Sequence, residues 1–245
     1  MSGKIAAFFD LDGTLVPEVS LERRFFSALR KRDAIPYSNY LRWLAEALRL
    51  LPRGVSAAQH ANKRYLTGLN ADLALEHLDS VTFFEEGIER VAWHARQSHE
   101  IVVITGTLEP LARLAAGALE CELESRGVAV RVRVIATQLA EWRGCWTGRL
   151  AGEALYGVAK ARAIASCAQK RQWNLSQSHG YGDSALDCDF LCTVGHGHAV
   201  NPGRDLAAIA NQQDWAIWHW QQEKKLAPPA GSNCVRENHS FEGQA

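Results

Sequence analysis

Two aspartates one residue apart, Asp10 and Asp12, stand where an apolar run from Ile5 to Phe9 stops. Gly13 and Thr14 follow and break the strand pattern. In a parallel sheet such a run is a buried strand, and ligands bind beyond the carboxyl ends of those strands. The two carboxylates then emerge side by side and repel each other unless a cation or a proton lies between them. Mg²⁺ suits that place, because it takes oxygen ligands and keeps several of its waters. One carboxylate could then attack a phosphorus while the other moves a proton. Asp-x-Asp by itself also fits a strand that merely ends in a polar turn.

Three further pieces fall at strand ends or helix starts. Ile101 to Ile104 is the cleanest apolar run in the chain, and it ends in Thr105-Gly106-Thr107. Lys160 lies near the start of a helix expected from Val158 to about Arg171. His179 to Gly182 reads as a short strand ending at Asp183, with Asp187 four residues on. A threonine hydroxyl can donate to a phosphoryl oxygen, a lysine can offset the charge of phosphate and carboxylates, and Asp183 can add a third acid to a metal. Phosphoryl transfer depends mostly on such positioning and charge neutralisation. Singly, a lysine near a helix start is ordinarily solvated, and a lone threonine is uninformative. The order and placement of all four pieces carry the argument.

The elements that must hold them follow a pattern. Strands alternating with helices predict an α/β fold with a doubly wound, mostly parallel sheet. Between Val16 and Thr82 there is no strand signal. Leu21 to Arg32 reads as an amphipathic helix, and Leu41, Leu44, Leu48 and Leu51 share one face of a second, expected to be helix-bundle core. Residues 17–82 are therefore expected to form an inserted all-helical cap, and residues 1–16 with 83–220 the catalytic core. Residues 142–150 suggest a hairpin at the sheet's edge, Phe190 to Val194 a strand, and Trp215 to Trp218 a last strand. From Gln221 the composition shifts to Lys, Pro, Gly, Ser and Asn, so 221–245 is expected to be a flexible tail.

Composition narrows the function class. The chain has 245 residues and a formal net charge of zero, which argues against a nucleic-acid partner held by a strong basic field. Its six cysteines form no Cys-x-x-Cys pair, and Cys188 and Cys192 read as buried free thiols flanking a strand. No apolar run is long enough to cross a bilayer, and the first strand follows Met1 with no secretory signal, so a cytoplasmic location is expected. Gly195-His196-Gly197-His198 hints at a metal site but reads better as a loop, because no acid or thiol partner has matching spacing. Trp215, Trp218 and Trp220 read as packing rather than a platform for stacked bases.

From Ile5 to about Trp220 the sequence resembles the haloacid dehalogenase superfamily of phosphohydrolases, within it the phosphoserine-phosphatase-like subgroup with a helical cap. Asp10-Leu11-Asp12-Gly13-Thr14 matches the nucleophile motif, Thr105-Gly106 the second, Lys160 the third, and Gly182 to Asp187 the fourth. Ala199-Val200-Asn201-Pro202 is similar to a stretch that subgroup carries after its fifth strand. The resemblance implies a Rossmann-like core and a Mg²⁺-dependent phosphatase acting on a phosphate monoester of a small metabolite or lipid headgroup. It implies Asp10 as nucleophile forming an aspartyl-phosphate. Asp12 is implied as general acid and base, with its backbone carbonyl on the metal. Asp183 is implied as a direct ligand, and Asp187 as support for the metal's waters or Lys160. Thr105 and Gly106 are implied to hold the phosphoryl group. The subgroup's glutamate nine residues after the nucleophile is replaced by Val19, with Glu18 just before it. For substrate recognition the polar candidates are therefore Glu18, Ser20, Arg23 and Arg24, with Asn62, Lys63, Arg64 and Tyr65 on a later cap helix. A receiver-like phospho-acceptor domain shares acids, Thr and Lys, but lacks the Asp183/Asp187 pair and a large cap. A catalytically silent binding module is disfavoured by intact acids at every motif.

Overall fold

All four residues of the first strand, β1 (Ala6–Phe9), are completely buried, which only a strand covered on both faces allows. The structure, a computed structural model, describes residues 3–17, 19–53, 61–76 and 80–221. Side chains alternate across the pleat. Ala7 and Phe9 therefore enter one apolar core, and Ala6 and Phe8 the other.

The strands that follow are β2 (Glu100–Leu108), β3 (Val132–Thr137), β4 (Leu139–Trp142), β5 (Cys145–Leu150), β6 (His179–Gly182), β7 (His196–Val200) and β8 (Ala216–Trp218). Six of them form one parallel sheet in the order β3-β2-β1-β6-β7-β8. The chain moves outward from β1 in one direction, then returns and moves outward in the other. The crevice between β1 and β6 is thus the switch point, where ligands bind in open α/β sheets. Helices Glu85–Arg96 and Glu109–Ser125 cover one face through Ile88, Val91, Ala112 and Ala115. Helices Val158–Arg171 and Arg204–Gln212, with the short turn Cys188–Leu191, cover the other through Ile164, Phe190 and Leu206.

A third apolar cluster stands apart from the sheet. Phe25 and Leu29 of helix Leu21–Lys31 meet Tyr65 and Leu66, and all four pack with Leu108, Leu111 and Trp146. Among the described residues, the segment between β1 and Glu85 contains helices but no strand of the sheet. Of the tail expected over 221–245, residues 222–245 lie outside the described residues.

Four expectations change. The hairpin β4/β5 is not at the sheet's edge. It is a separate antiparallel pair that bonds to the helical segment, with Gly68 N donating to Trp146 O (2.7 Å) and Trp146 N to Leu69 O (2.9 Å). The leucine stripe of helix Tyr37–Leu50 is not core. Leu41, Leu44, Leu48 and Leu51 are exposed, while the helix docks through Asn39, whose amide donates to Tyr65 O (3.1 Å) and Thr67 O (2.7 Å). Phe190 and Leu191 lie in a helical turn rather than a strand. A capping box, in which the side chains of Ser184 and Asp187 reciprocally bond each other's backbone, starts the helical path there. The strand is instead β7, built from the residues expected to form a loop. Gly197 is needed there, since a Cβ would lie 2.7 Å from the Trp215 ring.

Trp146 joins hairpin, helical segment and sheet in one contact. Trp146→Ala should lower unfolding free energy by about 3–5 kcal/mol in denaturant titration. A loss under about 1 kcal/mol would mean that this junction adds little to the fold.

Candidate active site

The turn after β1 and the turn after β6 meet at the switch point. Asp10 N donates to Tyr181 O (2.9 Å), continuing the ladder past β1 and fixing the aspartate beside the neighbouring strand's end. Gly13, at φ +87°, lets the turn pass under Asp183, where a Cβ would lie 2.3 Å from Oδ2. Thr14 Oγ1 faces Asp183 Oδ1 at 3.4 Å.

Lys160 comes from the opposite side, in the first turn of helix Val158–Arg171, and its ammonium is buried. It donates to Asp10 Oδ1 and Asp187 Oδ1, each at 2.6 Å. Burial alone would lower its pKa, but the charges of Asp10 and Asp187 outweigh that and hold it above the usual lysine range. Asp187 is fixed from behind, its Oδ2 accepting from Ser184 N and Oγ (both 3.1 Å).

Asp12 sits two residues from Asp10 in different surroundings. Its Oδ1 accepts from Leu21 N (2.8 Å), the first residue of helix Leu21–Lys31, and its Oδ2 from Thr107 Oγ1. Burial raises its pKa, against the lowering effect of those two hydrogen bonds. Thr107 was not assigned a role from sequence. The signal was there in Thr105-Gly106-Thr107, but strand alternation could not show that β2 runs on to Leu108 and turns Thr107 toward Asp12. Buried Thr105 accepts from Thr107 N (3.1 Å). Gly106 lies under the ring of Tyr156, 2.3 Å from where its Cβ would be. Tyr156, also unassigned from sequence, donates from its hydroxyl to Gly106 O (3.2 Å).

These groups open into a cavity of about 770 Å³. Its far wall comes from the helical segment and includes Ser20, Glu22, Arg23, Phe26, Arg30, Trp43, Asn62, Lys63 and Tyr65. Of the cap residues singled out for recognition, Ser20, Arg23, Asn62, Lys63 and Tyr65 line the cavity, but the ammonium of Lys63 is buried and paired to Glu22, whose carboxylate also accepts from Tyr65 Oη (3.3 Å). Arg24 does not line it; its guanidinium donates to Ser80 O (2.8 Å). Arg64 does not line it either and faces Glu46 at 3.8 Å. Helical spacing turns both away from the mouth. Glu18 lies outside the described residues, and Val19 is exposed with φ +73°. Glu22, one turn further along, is the carboxylate that reaches the cavity.

The donor set suits a hard cation. Oxygens of Asp10, Asp183 and Asp187 lie within 4.8 Å of one another, three carboxylates against the single ammonium of Lys160. Asp12's carboxylate is not part of this group and is bonded instead to Thr107 and Leu21. Burial, with Asp187 and Asp183 nearby, holds the Asp10 carboxyl well above the usual range despite Lys160. Burial and Asp187 push Asp183 up to about 7. An all-oxygen, acid-rich site in which Asp10 and Asp183 resist ionisation fits Mg²⁺, which would favour their charged forms.

A family model described as haloacid dehalogenase-like hydrolase matches residues 7–191. A putative hydrolase of Mycobacterium leprae is 30% identical over 91% of this chain and 75% of its own length. A Mycobacterium tuberculosis protein named phosphoserine phosphatase SerB1 is 29% identical over 91% of this chain and 73% of its own. Among solved structures, a Bordetella pertussis protein of unknown function superposes with a TM-score of 0.65 at 22% identity, covering 89% of this chain and 99% of the other. A substrate-bound phosphoserine phosphatase complex gives 0.57 at 18% identity, covering 89% and 94%. These structural likenesses support the fold. Among the described residues no helix is long and apolar enough to cross a membrane.

Asp183 makes stability depend on pH with a definite sign. Its folded pKa of about 7 exceeds the ordinary 3.8, so its contribution is complete below pH 3.8 and is lost as pH rises through about 7. Without metal, the protein should lose stability across that window. Added Mg²⁺ should raise Tm progressively more from pH 5 to pH 8, and Asp183→Asn should flatten the trend. An Mg²⁺ shift independent of pH would contradict this account.

Proposed function

The chain belongs to the haloacid dehalogenase-like hydrolases, and on that premise we propose that it is a Mg²⁺-dependent phosphatase working through an aspartyl-phosphate on Asp10. The observation that carries this reading is the division between two neighbouring carboxylates. Asp10 is clamped by an ammonium among acids, while Asp12 is held by a hydroxyl and a backbone N–H. Asp10, set among the acids that suit a cation, has the place of a nucleophile, and Asp12, held apart from them, that of a proton donor.

The phosphate monoester enters with its phosphoryl group toward Asp10, Thr105 and Gly106 N–H. A carboxylate oxygen of Asp10 attacks phosphorus as the bond to the leaving oxygen breaks. Asp12, its pKa raised by burial, gives its proton to that oxygen. The same carboxylate then takes a proton from water as water attacks phosphorus, and the bond to Asp10 breaks. Lys160 keeps Asp10 oriented and offsets charge throughout. Mg²⁺ held by Asp10, Asp183, the Asp12 carbonyl and waters supported by Asp187 would neutralise the phosphoryl oxygens.

The wall opposite supports a small polar leaving group. Glu22, Lys63 and Tyr65 form a bonded set, and Arg23, Phe26, Arg30 and Trp43 line the same cavity. Lys63 is neutralised by Glu22, so cationic reach toward an anionic leaving group falls to the two arginines instead. A metabolite or lipid headgroup phosphate fits this mixture. The name of the mycobacterial relative makes phosphoserine one compound to screen, although Val19 replaces the expected glutamate. The cytoplasm is the compartment we propose.

Asp10→Asn should abolish hydrolysis of p-nitrophenyl phosphate and of alkyl phosphates in Mg²⁺, with the circular dichroism spectrum unchanged; retained activity, with deamidation excluded, would refute the nucleophile. Asp12→Asn should slow alkyl phosphates by about 10²–10⁴-fold and activated aryl phosphates far less. Thr107→Val should act in the same direction with smaller effect. Equal losses on both substrate types would remove Asp12 as the proton donor.

A further inference from the structure

At the opposite end of the sheet from the acids, five histidines converge. His179 and His196 are the first residues of β6 and β7 and face each other in register, rings stacked at 4.6 Å. His94 comes down from helix Glu85–Arg96 and is fully buried, and His99 precedes β2. His198 stacks on Tyr181. None of these residues has a part in the phosphatase reading.

We propose that His94, His99 and His179 form a second metal site, for a divalent cation that prefers imidazole, with Zn²⁺ foremost. One ring nitrogen from each lies within 4.8 Å of the others. His94 Nδ1 and His99 Nδ1 are 2.8 Å apart. Two ligands of a tetrahedral Zn²⁺ with Zn–N of about 2.0–2.1 Å stand roughly 3.3 Å apart, so the pair must open by about half an ångström. His99 can supply that movement. It is half-buried and follows Ser98, which turns the chain at φ +61°.

The surroundings resemble what holds a metal-binding histidine in place. Ligating imidazoles pass their other N–H to a fixed partner. His94 Nε2 has Tyr181 Oη at 2.9 Å, buried. His179 Nδ1 has His198 Nε2 at 3.2 Å, which leaves its other nitrogen to ligate. Burial and neighbouring rings keep His94 and His179 uncharged near neutrality, the form that donates a lone pair. The nearest cation, Arg90, is drawn off over the rings of Trp218 and Trp93, at 4.3 and 5.6 Å.

Filling the site has one local consequence. Trp218 Nε1 donates to His198 Nδ1 at 3.3 Å. If His179 ligates, its Nδ1–H must donate to His198 Nε2, and His198 then carries its proton on Nδ1, facing the indole N–H. The metal therefore displaces this contact. The three ligands would tie the helix before β2, the turn into β2 and the start of β6 together, chemically and spatially apart from the acidic site. Three nitrogens and no carboxylate favour Zn²⁺, Ni²⁺ or Cu²⁺ over Mg²⁺.

The test is calorimetric titration of the metal-stripped full chain with ZnCl₂ in excess Mg²⁺, which keeps the acidic site occupied. Wild type should bind one equivalent tightly, with a change in Trp218 emission that Trp218→Phe removes. Tyr181→Phe should weaken binding by about 10–100-fold, as loss of an outer partner does. His99→Ala and His179→Ala should weaken it further, while Asp183→Asn leaves it intact. Circular dichroism and unfolding of the metal-free variants establish that they fold. No zinc bound in excess Mg²⁺, or the same affinity in folded His99→Ala and His179→Ala, would overturn the proposal and leave the histidines as packing. Failure here would leave the phosphatase reading untouched, since none of these readouts is hydrolysis.

Discussion

The ammonium of Lys160, buried between Asp10 and Asp187 at 2.6 Å from each, is the interaction on which the acidic site depends. Its position is costly in isolation. A lysine in the first turn of a helix meets the positive end of the dipole, and burial strips its water. Two carboxylates offset both costs, but only if they arrive from other strands. That requires β1 and β6 to be neighbours and the helix Val158–Arg171 to enter from the same end. Removing the lysine would leave two buried carboxylates uncompensated, whereas removing one carboxylate leaves the ammonium paired with the other.

The remaining acids follow from this clamp. Asp183 is pressed against the Gly13 turn, and Asp187 is held by the capping box with Ser184. Their mutual repulsion explains why the group suits a divalent cation better than a further lysine would. Asp12 escapes the crowd because helix Leu21–Lys31 begins above it and supplies a backbone N–H. The helical segment thus does more than close the cavity. It donates a backbone N–H to the residue proposed to move the proton, and it carries the wall of the cavity opposite the acids.

The sheet's two ends are chemically distinct. The carboxyl ends present oxygens, and the amino ends of β6 and β7 present imidazoles packed against Tyr181 and helix Glu85–Arg96. Tyr181 touches both arrangements, giving its carbonyl to Asp10 N and its hydroxyl to His94. The same short strand therefore carries groups toward both ends.

The sequence by itself determined the parallel α/β architecture, the strand ends bearing Asp10, Asp12 and Asp183, and the helix bearing Lys160, while it stopped the strand that holds Thr105 short of its end at Leu108. These are local matters, since an apolar run stopping at an acid encodes both a buried strand and its exposed end. Direction of side chains across elements was decided only by the tertiary structure. Periodicity put Leu41, Leu44, Leu48 and Leu51 on one face but could not say whether anything covers that face, and the described residues leave it open. It grouped Lys63, Arg64 and Arg24 as polar candidates, yet packing sent Arg24 to Ser80 and neutralised Lys63 with Glu22. Thr107 and Tyr156 act through contacts 95 and 50 residues away in the chain. Local spacing around His196 and His198 shows no acid or thiol partner, and His94, His99 and His179, distant in sequence, meet only when strand register brings them together. Spacing along a chain records which residues share an element, and contact between elements depends on how those elements pack.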